Sequence, residues 1–195
     1  MAVLPLRMIG DPVLRTPAAP VGTFDGSLQR LVADMYETMD HAGGIGLAAP
    51  QIGVGLRIFT YDVHGERGAV ANPELELSGE PVFTPRREQE GPSEGENQIQ
   101  EGCLSVTTVH GPVRRPQRAV LRGNAPDGSG VEIRTSGLLA VCFQHELDHL
   151  EGRLFIDRLD GDERRSALRT LREAERAEGG AARTRQHAGS SFFGG

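Results

Sequence analysis

The chain has 195 residues, enough for one domain with a real core, and its 37% hydrophobic and 25% charged residues are an ordinary balance for a soluble globular protein. A net charge of -6 and a pI near 5.5 argue against general DNA, RNA or anionic-membrane binding, which needs a basic patch. Arg7 and Asp11 interrupt the first residues, so no signal peptide or membrane span is expected there. Only two cysteines, Cys103 and Cys142, occur, which favours a reducing cytoplasm over a secreted disulfide framework.

In chain order, residues 3–22 carry Pro5, Pro12, Pro17 and Pro20 and are expected to run extended over the surface. Asp25 or Ser27 then caps a helix whose Leu28, Leu31, Val32, Met35 and Met39 recur at helical spacing, and Gly43-Gly44 ends it. Residues 44–53 are dominated by glycine and alanine, so backbone or ligand can approach closely, and Gln51 is their only long polar side chain. No Lys-Ser/Thr pair follows, so this is not a phosphate-cradling loop. Short strands are predicted at 56–61, 69–71, 75–77 and 82–83, followed by a solvated loop over 84–98.

Beyond that loop come the stretch Glu101 to Val106 and two strands, 118–122 and 131–135, flanking the hairpin-type Asp127-Gly128. The largely apolar segment 137–150 predicts a buried helix seated in the concave face of the sheet, with Gly152 marking its end. Residues 160–174, with Leu168 and Leu171 on one side, read as a weak surface helix. The expected organisation is a single domain over 1–178 and a disordered tail over 179–195.

Chemistry concentrates in Gln144-His145-Glu146-Leu147-Asp148-His149. Two histidines four apart share a helix face and can reach one metal ion, while Glu146 can touch a water on that metal without binding it. Two imidazoles alone make a weak site, so a third ligand is needed. His187 lies in the tail and Glu151 is too near His149. Glu163, Glu173 and Glu175 remain formal possibilities downstream. Upstream, a Cys103 thiolate would complete a His₂Cys set with one open position, which is a catalytic pattern. The bland reading of Cys103 is a small buried strand residue.

Three segments, Gly44-Ile45-Gly46-Leu47-Ala48-Ala49-Pro50-Gln51, Glu101-Gly102-Cys103-Leu104-Ser105 and Gln144 to Leu150, resemble in order the three signature motifs of peptide deformylases. Asp11-Pro12-Val13-Leu14-Arg15 also resembles that family's N-terminus, so the likeness covers roughly residues 3–172. The resemblance implies an α+β fold, with small mixed or antiparallel sheets wrapped around a central buried helix bearing the HExxH motif and flanked by an N-terminal and a C-terminal helix. It implies that Cys103, His145 and His149 hold one divalent metal, typically Fe²⁺, with Zn²⁺, Ni²⁺ or Co²⁺ able to substitute. Glu146 would move protons, and the Gln51 side chain and Leu104 N–H would form an oxyanion hole. Gly46 would admit the substrate backbone. Ile45, Ile99, Leu138, Val141 and Cys142 match positions lining a methionine pocket, and Glu101 and Arg115 match a buried ion pair beside the cysteine.

The implied activity is removal of formyl from the N-terminal methionine of nascent polypeptides in the cytoplasm, with the ribosome as a further partner to test. The sequence also departs from the family pattern. Thr107-Thr108 stands where a proline-led turn is common, and His110 stands where an Arg often contacts the peptide. The 84–98 loop is longer than in many members. Two other readings are an endoprotease with a downstream carboxylate ligand and a catalytically silent metal-binding or ribosome-interacting relative.

Overall fold

The computed structural model describes residues 2–83 and 100–188. Asp25 is the residue that caps the first helix, α1 (Gly26–His41): its carboxylate accepts from the N–H groups of Ser27 and Leu28. The glycine-rich stretch becomes a short strand, β1 (Gly46–Ala48), and a 3-10 turn over Ala49–Ile52 that ends on left-handed Gly53. Two long strands follow, β2 (Ile58–Val63) and β3 (Glu66–Phe83), then β4 (Glu101–Cys103), β5 (Val106–Gly111), β6 (Arg114–Asn124) and β7 (Gly130–Ser136). The motif helix α2 (Gly137–Leu150) and the last helix α3 (Gly161–Ala188) complete the order. The expected 84–98 loop and Ile99 lie outside the described residues.

An antiparallel sheet in the order β1-β2-β3-β6-β7 forms the frame, and β4-β5 makes a separate two-stranded ribbon. Alternation along β2 assigns the two faces. Phe59, Tyr61 and Val63 join Leu139, Cys142, Phe143 and Leu150 of α2, whereas Ile58 joins Leu28, Val32, Met35 and Met39 of α1. The sheet is thus covered by α2 on one side and α1 on the other. Tyr61 and Phe143 meet edge-on at 4.9 Å, and Phe59 tilts against Phe143 at 5.8 Å, fixing how α2 lies on the sheet. A third cluster joins Leu14, Val106, Val109, Phe155 and Leu159 to Ala167 and Leu171 of α3.

Three expectations need correction. The short strands predicted at 69–71, 75–77 and 82–83 are one strand, β3, whose interruptions are irregularities in its pairing with β6. Asn72 (φ 50°) and Gly79 (φ 90°) sit at those irregularities, so the turn residues bend the strand without ending it. The arm over residues 3–22 does not simply lie on the surface: Leu14, Ala18 and Val21 are buried, and Asn72 pairs through its side-chain amide with both backbone groups of Val21. The tail expected to be disordered from residue 179 is helical as far as Ala188, because Ala181, Ala182, Arg183, Arg185 and Gln186 are good helix formers that extend a helix already nucleated. Residues 189–195 lie outside the described residues.

Candidate metal centre

α2 brings His145, Glu146 and His149 to the cavity side of the core, and the β4-β5 ribbon lays Cys103 against them. The ligand atoms of Cys103, His145 and His149 all lie within 4.8 Å of one another, and Cys103 Sγ stands 3.2 Å from His149 Nε2. Among the described residues, no other group of His, Cys, Asp or Glu clusters in this way. Of the third-ligand candidates weighed from sequence, the structure brings Cys103 to the histidines. One thiolate and two imidazoles suit a borderline-soft divalent cation. Glu146 Oε2, on the residue next to His145, is buried without a partner. The donor set therefore fits a metal.

Charge supports that fit. Burial pushes the His149 imidazole well below its ordinary value, helped by the charges of His145 and Arg115, so it is a neutral ring with a free lone pair. His145 is pulled down by burial, but hydrogen bonds with Cys103 and Glu101 outweigh this and raise it well above the ordinary value.

Glu146 is 3% exposed, and burial raises its carboxyl from 4.5 to about 7, with the His145 charge opposing. A value near 7 suits a group that must both take and return a proton. Its place depends on Gly46. A Cβ on that residue would stand 2.3 Å from Glu146 Oε1 and 2.9 Å from Cys142 Sγ, so only glycine leaves the carboxylate where it is.

Gln51 is 1% exposed and held at both ends. Its carbonyl accepts from the Ala48 N–H at 2.8 Å, which turns the amide NH₂ toward Cys103 Sγ (3.6 Å) and the Ser105 hydroxyl (3.4 Å). Ser105 also points its own N–H at the Cys103 sulfur, 3.4 Å away. Leu104 lines the cavity between them.

Behind His145 stands a buried ion-pair network. Arg115 clasps Glu101 with two parallel bonds of 2.8 and 2.9 Å, and Glu101 Oε2 lies 3.1 Å from His145 Nδ1. Burial would raise the Glu101 carboxyl, but Arg115 and His145 overcome it and hold the group at about 2. This carboxylate fixes the ring so that His145 presents its other nitrogen to the cavity. Glu101 therefore acts on the His145 ring directly. Asp148 is 4% exposed and binds Arg115 at 2.8 Å and Arg158 at 2.5 Å. Ser105 ends the matched cysteine motif without a role being read for it, and Phe155 (its ring 6.3 Å from that of His145) and Arg158 carry no advance signal, because their contacts join segments far apart in the chain.

The cavity, about 470 Å³, opens beside these groups. Leu138, Val141, Cys142, Ile45 and Gly46 line it, as expected of an apolar slot, and Thr107 and His110 stand among its polar wall residues. Ile45 is 45% exposed and Val141 is buried, so the slot runs from a mouth to a closed end. His110 lies over Gly102: a Cβ there would fall 2.5 Å from the imidazole.

A family model described as polypeptide deformylase matches residues 3–165. A peptide deformylase of Acidothermus cellulolyticus is 51% identical over 90% of this chain and 89% of its own length, and one from Parafrankia sp. is 49% identical over 90% and 88%. Among solved structures, a peptide deformylase from Legionella pneumophila superposes with a TM-score of 0.77 at 38% identity, covering 91% of this chain and 98% of its own. One from Synechococcus elongatus, in complex with actinonin, gives 0.75 at 34% identity, with 89% and 86% covered.

Proposed function

Because the chain belongs to the polypeptide deformylase family and is a peptide deformylase by its fold and relatives, we propose that it hydrolyses the formyl group from the N-terminal methionine of nascent polypeptides. The observation that carries this reading is the convergence of Cys103, His145 and His149 beside the buried Glu146 and the oriented Gln51 amide. Cys103, His145 and His149 would hold one divalent metal, for which we propose Fe²⁺. When bound, such a cation supplies Lewis acidity, lowering the pKa of water at the open position from 15.7 toward about 7.

The chain's own groups then do the following. Glu146 takes a proton from the attacking water. Water oxygen bonds to the formyl carbon, and negative charge develops on the formyl oxygen. The Gln51 Nε2–H and the Leu104 backbone N–H donate to it, each worth about 3 kcal/mol in a preorganised site. Collapse breaks the C–N bond, and Glu146 returns its proton to the leaving amine. The products are formate and a free N-terminal methionine. Ile45, Leu138, Val141 and Cys142 would take the methionine side chain, and His110 would meet the peptide beyond it. We place the reaction in the cytoplasm, where nascent peptides emerge.

The endoprotease reading requires Cys103 to stand apart from the histidines, and the 3.2 Å approach to His149 counts against it. Anaerobically purified protein with Fe²⁺ or Ni²⁺ should release formate from formyl-Met-Ala-Ser, and Cys103→Ser should abolish that release. No formate from the loaded wild type would refute the activity.

A further inference from the structure

The buried network behind His145 does not close on itself. Glu101, Arg115 and Asp148 are 7%, 3% and 4% exposed and together carry two negative charges and one positive. Glu101 already meets both Arg115 and His145, whereas Asp148 has only a share of Arg115, so this buried carboxylate calls for a second cation. Arg158 supplies it. Its Nη2 donates to Asp148 Oδ1 at 2.5 Å and its Nε to Oδ2 at 3.2 Å, while its side chain remains 42% exposed. Arg158 follows the 3-10 turn Phe155–Asp157 and stands three residues before α3 begins.

The bonds form one continuous path. Arg158 grips Asp148, Asp148 shares Arg115, Arg115 clasps Glu101, and Glu101 orients the His145 ring. Asp148 uses Oδ2 for both arginines, so its tilt depends on Arg158. Losing the outer guanidinium would let Asp148 pull Arg115 toward itself and slacken its hold on Glu101. We propose that Arg158 is a positioning residue for the metal centre, setting metal affinity and ligand geometry from the protein surface through Asp148, Arg115 and Glu101. This rests on the assignment of Cys103, His145 and His149 as ligands. It makes the entry to α3 a point from which the centre can be adjusted without touching the cavity.

The test uses Co²⁺ as the probe on the full-length chain, with affinity measured by competition against a chromophoric chelator and geometry read from visible absorption. Partners of a ligand histidine commonly alter metal affinity 10- to 100-fold, and Arg158 acts three links behind such a partner, Glu101. Arg158→Ala should therefore weaken Co²⁺ binding about 5- to 10-fold and shift the ligand-field bands. Arg158→Lys, which keeps the charge but not the two-point grip, should recover part of the affinity. In steady-state assays, kcat should fall with KM little changed. Arg153→Ala, which removes only an exposed pair with Glu151, should match wild type. Unchanged affinity and spectrum in Arg158→Ala would overturn the proposal, even if the melting temperature fell. A wild type that binds no Co²⁺ would overturn the ligand assignment and this role together.

Discussion

Glu146 has one face against a dry wall and the other toward the cavity, and that asymmetry sets its chemistry. Burial lifts it to about 7 in the metal-free protein, whereas a bound cation favours the carboxylate and draws the value down. The base must be deprotonated to accept a proton, so kcat/KM of the loaded enzyme should rise with pH along a limb centred between the ordinary 4.5 and about 7. Glu146→Gln keeps the shape, removes the titration and should reduce kcat by about 10²- to 10⁴-fold. A pH–rate profile on both proteins checks this, and a limb that survives in Glu146→Gln would assign it to another group. His145, Glu146 and His149 were legible in the sequence because helical spacing alone puts them on one side, and Cys103 because its flanking residues match a motif. Ala48 and Ser105 lie within the matched motifs, but their roles were not legible, since the first acts through its backbone N–H and the second through a contact with a residue 54 positions away.

At the scale of elements, the site is a meeting of two loops held together by a third segment. The Arg7 N–H donates to the Gln51 carbonyl at 2.7 Å, and the Ile9 N–H to the Ser105 carbonyl at 2.8 Å. Residues 7 and 9 face the same way on an extended chain, so one short stretch ties Gln51 to the cysteine loop. A proline-rich arm reads from sequence as surface coil. Prolines announce extension and say nothing of what the intervening N–H groups bind. The same limit applies to β3, where Asn72 and Gly79 look like strand ends until the pairing with β6 is seen to continue past them. Ile9→Pro removes the donor and leaves the carbonyl of fully buried Ser105 unpaired, at a cost of about 1–3 kcal/mol. For a domain of this size the melting temperature should drop by about 2–10 °C, and scanning calorimetry would show it. Ile9→Ala keeps the N–H and serves as the comparison. An equal drop in both variants would place the effect in side-chain packing.

Across the whole molecule, α2 was the most legible element, because an apolar segment too short to span a membrane and carrying a metal motif has to be wrapped by something. That a five-stranded sheet lies between α1 and α2, with Phe59 facing one helix and Ile58 the other, depends on strand order, which alternation in a single strand cannot supply. The fold joins its parts at the candidate metal centre: Cys103 comes from the β4-β5 ribbon and the histidines from α2, and the two would drift apart on unfolding. A cation held by all three therefore binds the native state in preference to the unfolded chain, and linkage turns affinity into stability. At a free metal concentration about a thousandfold above Kd the gain is about 4 kcal/mol. At about 2–4 °C for each kcal/mol, chelation should lower the melting temperature of the loaded protein by about 10 °C. Cys103→Ser, lacking one of three ligands, should show a much smaller chelator effect at the same metal concentration. Thermal melts of both proteins with and without chelator decide the matter. An equal shift in both would mean that the stabilising cation sits somewhere other than between β4 and α2.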